Sequence, residues 1–108
     1  MGLMAADVAN DLIENFETDY LFNLVRQFID DARNSLNTIS NAHRSADFDL
    51  AKGQAHSLKG SSSMLGFKDL ALLAHTIEVS IIEMSIDQLA TKILLVNENL
   101  DVIERTLP

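Results

Sequence analysis

Apolar side chains recur along most of this chain at steps of three and four, the period of a helix with one buried face. From Leu3 to about Asn15, the residues Met4, Val8, Leu12 and Ile13 predict a short amphipathic helix that lids the rest. Thr18 suits the N-cap of a second, longer element, along which Leu21, Leu24, Val25, Phe28, Ile29, Ala32, Leu36 and Ile39 keep helical spacing. Its polar residues, including Arg26, Asp30, Asp31 and Arg33, read as a solvated charged face. His43, near its end, reads as a surface residue or as a charge partner for the helix C-terminus. The segment Ala46 to Asp49 has no apolar period of its own and reads as a joint, in which Asp47 or Asp49 caps the next helix.

In that next helix Phe48, Ala51, Ala55, Leu58 and Leu65, with small Ser62 in register, describe one apolar stripe. At about 100° per residue His56 lies roughly 130° from the middle of the stripe, on the solvent side. Around it fall Gly53 a turn earlier, Ser57 beside it, Lys59 and Gly60 a turn later, and Ser63 a turn beyond. Glycine inside a helix costs about 1 kcal/mol relative to alanine. Gly53 is also compatible with a helix that begins later, whereas Gly60 lies deep in the periodic run. A flat surface that lets another protein approach the imidazole is the simplest physical reason for both.

Gly66 suits the left-handed backbone that ends a helix. The third long helix carries Leu70, Leu73, Ala74, Ile77, Ile81 and Met84 on one stripe, with Leu72, Val79 and Ile82 on other sides. It is therefore either central in the molecule or bears an exposed contact patch. Ser85 and Gln88 have the spacing of a capping box, after which Leu89, Ile93, Val96, Leu100, Ile103 and Leu107 face inward. The fold class is all-α. Helices of about 18 to 28 residues with short joints predict an antiparallel up-down-up-down four-helix bundle, plus the short additional N-terminal helix.

At 108 residues the chain is expected to form one domain over 1–108. It has no cysteine, which excludes disulfide staples, thiol catalysis and the usual zinc cages. A reducing, cytoplasmic setting is compatible with this. Eight basic against sixteen acidic residues, a formal charge of −8, argue against nucleic acid and against contact with anionic membranes. No phosphate-binding glycine loop lies between a strand and a helix, so no ATP site or kinase activity is expected. No metal cluster is evident and no cofactor is expected.

The candidate chemistry centres on His56. A neutral imidazole is a competent nucleophile at physiological pH, and its phosphorylated form keeps a labile P–N bond suited to relay. Phosphoryl transfer depends on positioning and charge stabilisation, which a cation one turn away at Lys59 would supply. His75 and Glu78, three residues apart, share a face of the partner helix. A carboxylate accepting a hydrogen bond from Nδ1 of His56 would fix the tautomer that leaves Nε2 free.

The run His56-Ser57-Leu58-Lys59-Gly60, followed by Ser61-Ser62-Ser63-Met64-Leu65-Gly66 and then Leu70, Ala74 and Glu78, resembles the signature of histidine-containing phosphotransfer (HPt) domains. The resemblance implies that His56 accepts the phosphoryl group, that Lys59 assists at it and that Gly60 clears the approach. Gly53, Ser57 and Ser63 would join Gly60 in docking a partner. Met64-Leu65-Gly66-Phe67 and Leu73-Ala74-His75-Thr76-Ile77-Glu78 are similar to the phosphotransfer domain at the front of chemotaxis histidine kinases. In that group a second histidine and a glutamate on the next helix form a network with the phosphohistidine and lysine, and His75 and Glu78 match those positions.

The implied partners are a receiver (response regulator) domain, which would also supply the magnesium, and a cognate histidine kinase, with this protein a monomer. The expected function is a phosphorelay intermediate of two-component signalling. Alternatives are the front domain of a chemotaxis-type kinase, phosphorylated by a separate ATP-binding domain, and a non-catalytic helical docking adaptor.

Overall fold

Four helices follow one another through joints of a few residues: α1 (Gly2–Arg44), α2 (Phe48–Met64), α3 (Lys68–Ser80) and α4 (Ile86–Thr106). This computed structural model describes the backbone of residues 2–108 and the side chains of residues 18–108, and no strand occurs among the described residues.

The separate N-terminal helix is not found, because α1 runs unbroken through Thr18, which is an exposed mid-helix residue and not a cap. No glycine or proline interrupts Asn15 to Tyr20, so nothing in the backbone chemistry stops the helix there. The expected lid face of Met4, Val8, Leu12 and Ile13 lies outside the described side chains. The expected helix lengths are also corrected, to 43, 17, 13 and 21 residues for α1 to α4.

The core is a single cluster from all four helices. α1 contributes Phe28, Ile29, Ala32, Leu36, Ile39 and Ala42; α2 contributes Ala51, Ala55 and Leu58. Leu70, Ala74 and Ile77 of α3, with Ile81 just past its end, meet Leu89, Val96 and Leu100 of α4. Each helix packs on its neighbour in the chain, and α1 also packs on α4. Leu21 and Leu24, expected in the core, are exposed. At 1.5 Å per residue α1 rises about 65 Å and α2 only about 26 Å, so one end of α1 outruns its neighbour's cover. The charged face assigned to Arg33 is partly a helix contact, since its guanidinium donates to Asn97 Oδ1 at 2.9 Å and Asp101 Oδ1 at 2.8 Å on α4.

Three joints set the register of the helices. After α1, Asp47 N–H donates to Ala42 O at 2.8 Å and Ala46 N–H to His43 O at 3.1 Å, a Schellman closure with Ala46 at φ +58°. Asp47 then caps α2 by accepting from Leu50 N–H at 3.3 Å. After α2 the same closure recurs, Phe67 N–H to Ser62 O at 2.8 Å and Gly66 N–H to Ser63 O at 3.1 Å, with Gly66 at φ +81° as anticipated. The capping box at Ser85 and Gln88 is formed in both directions.

α3 ends at Ser80, about a turn earlier than its apolar stripe suggests, and Ile81 to Glu83 form a turn that keeps Ile81 buried. His43 is not a free surface residue: its Nε2–H donates to Met84 O at 2.9 Å, and its ring meets Phe48 edge-on at 6.0 Å. One half-buried imidazole thus ties the end of α1 to the start of α2 and the joint before α4.

Candidate functional site

The periodicity of α2 buries Ala51, Ala55, Leu58 and Ser62, and that choice of face turns His56 outward, its side chain 69% exposed. Ser62 keeps its hydroxyl satisfied by donating to Leu58 O at 2.7 Å, and among the described residues no buried side-chain polar atom is left without a partner. On the neighbouring α3, burial of Ala74 and Ile77 brings Glu78 and His75 to the α2 flank.

Four sequence-predicted residues meet there. His56 Nδ1 lies 2.7 Å from Glu78 Oε2. Lys59 Nζ is 3.7 Å from Glu78 Oε1 and 3.4 Å from His75 Nδ1. His75 Nδ1 is itself 3.7 Å from Glu78 Oε1. Glu78, at 20% side-chain exposure, is the least accessible of the four and joins the others.

Burial opposes ionisation of the Glu78 carboxyl, but the hydrogen bond from His56 and the positive charges of His56, Lys59 and His75 outweigh it. They hold its pKa below the ordinary 4.5. Glu78 is therefore an ionised acceptor at neutral pH, and an ionised carboxylate has no proton to give. The proton in the His56 contact belongs to Nδ1, and in the neutral ring the lone pair sits on Nε2.

Gly53, Ser57, Gly60 and Ser63 are all exposed on α2. A Cβ built at Gly53 or Gly60 meets nothing within 4 Å, so the protein's own packing does not require glycine at either position. Gly53 lies inside α2, which begins at Phe48, and the later helix start that would have excused it is ruled out.

Sequence reasoning passed over a groove of ≈ 310 Å³ between α1 and α2, lined by Leu24, Phe28, Leu58, Met64 and Leu65 and rimmed by Asp31 and Ser57. Met64 is 85% exposed beside it. The signal was present in Leu24 and Met64, apolar residues that stand exposed on their helices beside the groove. Leu72 and Val79 on α3 and Ile82 in the turn after it are exposed, so of the two readings for this apolar excess the structure gives exposed surface and not a central helix.

An exposed histidine hydrogen-bonded to a carboxylate on an all-helical scaffold defines a class of site suited to moving a group onto and off a ring nitrogen. A family model described as Hpt domain matches residues 23–106, and the chain belongs to that family. Hpt domains carry out phosphotransfer in two-component signalling and interact with histidine kinases and receiver domains. No curated protein and no solved structure gives a significant match. Among the described residues no helix is long and apolar enough to cross a membrane.

Proposed function

We propose that the protein is a phosphorelay intermediate that takes a phosphoryl group on Nε2 of His56 and exchanges it with the aspartate of a receiver domain. The observation that carries this reading is the 2.7 Å contact between Nδ1 of an outward-facing ring and the Glu78 carboxylate. The Nε2 lone pair attacks the phosphorus of the aspartyl phosphate; the P–N bond forms as the P–O bond breaks, and the carboxylate leaves with that electron pair. The ring keeps its proton on Nδ1, and the positive charge that develops there is met by Glu78. Return transfer reverses the same bonds.

Lys59, one turn from His56 and 3.7 Å from Glu78, supplies a cation that can meet the charge of the transferring group. Gly60 and Gly53 leave the approach open, Ser57 and Ser63 give it a polar rim, and the α1–α2 groove beside Ser57 offers apolar area for the receiver. The reading takes residues 1–108 as one up-down-up-down phosphotransfer unit, monomeric and working in the cytoplasm. Antiparallel neighbours are supported by partner numbers that run in opposite directions, His56 with Glu78 and Lys59 with His75 across α2 and α3. Arg26 with Pro108 and Arg33 with Asp101 do the same across α1 and α4.

A second reading keeps the same acceptor and changes the donor. The joined His75, Glu78 and Lys59 favour the front domain of a chemotaxis-type kinase, phosphorylated from ATP by a separate domain. Incubation of wild type and His56→Gln with phosphorylated receiver domains tests the shared step. Label on wild type and none on the variant is the expected result. Full signalling by His56→Gln leaves only the docking adaptor.

A further inference from the structure

The groove between α1 and α2 has apolar walls and one charge. Leu24 and Phe28 line it from α1, Leu58 and Met64 from α2, and Ser57, next in the chain to His56, stands on its edge. Asp31 is the charged residue among those that line it. Gln27 Nε2, one turn earlier on α1, donates to Asp31 Oδ1 at 3.1 Å, which orients the carboxylate without neutralising it. The two arginines nearest to Asp31 in the chain are turned elsewhere, Arg33 to Asn97 and Asp101 of α4 and Arg26 to Asn23 and Pro108 O. Among the described residues Asp31 has no ion pair, so its charge is left for something outside the fold.

The other flank of His56 has the opposite sign. Lys59 lies there beside Glu78 and His75. Lys52, seven residues before Lys59 on α2, shares its helix phase, and among the described residues it too has no ion pair. Glu78, the counter-charge on that flank, is sheltered and already bonded to His56. The exposed imidazole thus stands between an anionic edge on α1 and a cationic edge on α2.

We propose that Asp31 is a specificity-determining residue for exchange with receivers: it selects a receiver whose docking helix carries a basic side chain among apolar ones, and it sets which way round that receiver docks. This rests on the reading of His56 as phosphoacceptor. Two packed helices leave a trough that an amphipathic helix fills with apolar residues three and four apart. A basic side chain of that helix placed over Asp31 leaves the receiver's aspartyl phosphate, an anion, on the side of Lys52 and Lys59. Turned the other way round, the receiver brings like charges together at both edges, which is costly and rejects that pose. The formal charge of −8 acts in the same direction, since it favours a partner with a basic face.

The test uses the whole protein with two donors, phosphorylated receiver domains and phosphoramidate, a small molecule that has no helix to dock. Initial rates of labelling are measured for wild type, Asp31→Asn and Asp31→Lys at low and high salt. Asp31 is exposed, so neither change disturbs the core. With a receiver at low salt, Asp31→Asn should be slowed about fivefold and Asp31→Lys about tenfold, and both differences should shrink at high salt. With phosphoramidate the three proteins should agree. Replacing the basic residues of the receiver's docking helix with glutamate should slow wild type and restore Asp31→Lys. Receiver rates unchanged in both variants, with label on His56, overturn the role of Asp31 alone. A loss that phosphoramidate shares, or that no charge reversal on the receiver restores, does the same. Failure of both donors to label wild type, or a label that persists in His56→Gln, overturns the phosphoacceptor reading and this proposal together.

Discussion

Nδ1 of His56 and Oε2 of Glu78 are 2.7 Å apart, yet the two side chains differ widely in exposure, 69% against 20%. The orienting carboxylate is sheltered between helices while the ring it orients stands in solvent. Glu78→Gln keeps the shape and can still accept a hydrogen bond, but it loses the charge that meets the positive ring. Phosphorylation of His56 should fall by about 10- to 100-fold, the usual cost of losing a partner that orients a reacting imidazole. Initial rates with receiver phosphate as donor check it.

The same carboxylate predicts a pH dependence of stability. Its folded pKa is lowered, so its contribution is present above the unfolded value near 4.5 and is lost as pH falls through the lower folded value. The stability gap between wild type and Glu78→Gln should be present at neutral pH and close in acid. Solvent around the exposed ring screens the pair, which limits the gap to about 1 kcal/mol. Urea unfolding at a series of pH values measures it.

Gly60 opposes the stability of α2, and the fold gives no steric reason for it. Gly60→Ala should raise stability by about 0.5–1 kcal/mol. It should also slow transfer with a receiver while leaving labelling by a small donor less affected, because the added methyl stands in the partner's path. Unfolding curves and the two transfer rates, measured on one preparation, separate the effects.

Ala46 holds a left-handed backbone at φ +58° in the closure that ends α1. A side chain there costs about 1–2 kcal/mol that glycine avoids. Ala46→Gly should therefore raise the melting temperature even though it loosens the unfolded chain. Calorimetry decides the sign.

What the chain made legible was periodic. The stripe through Ala51, Ala55 and Leu58 placed His56 outside before any coordinates, and the three-residue step from His75 to Glu78 put both on one flank. Gly66 and the Ser85–Gln88 box were readable because their chemistry is local. Features that depend on where a neighbour stops were not. Leu24 has the spacing of a core residue but is exposed in the α1–α2 groove, where Ser61, Met64 and Leu65 line the other wall. His43 looks like any polar helix end until Met84 O arrives from a joint 41 residues away. The break at Thr18 failed for the opposite reason, since a capping residue without a helix breaker permits a start but does not impose one.

The most direct measurement is to phosphorylate the 15N-histidine-labelled protein from a receiver domain and locate the phosphorus by long-range 1H–15N and 31P correlation. An acid-labile, base-stable adduct on Nε2 of His56, with the proton kept on Nδ1, is the predicted result. Phosphorus on Nδ1, or on His43 or His75 in place of His56, would contradict the account.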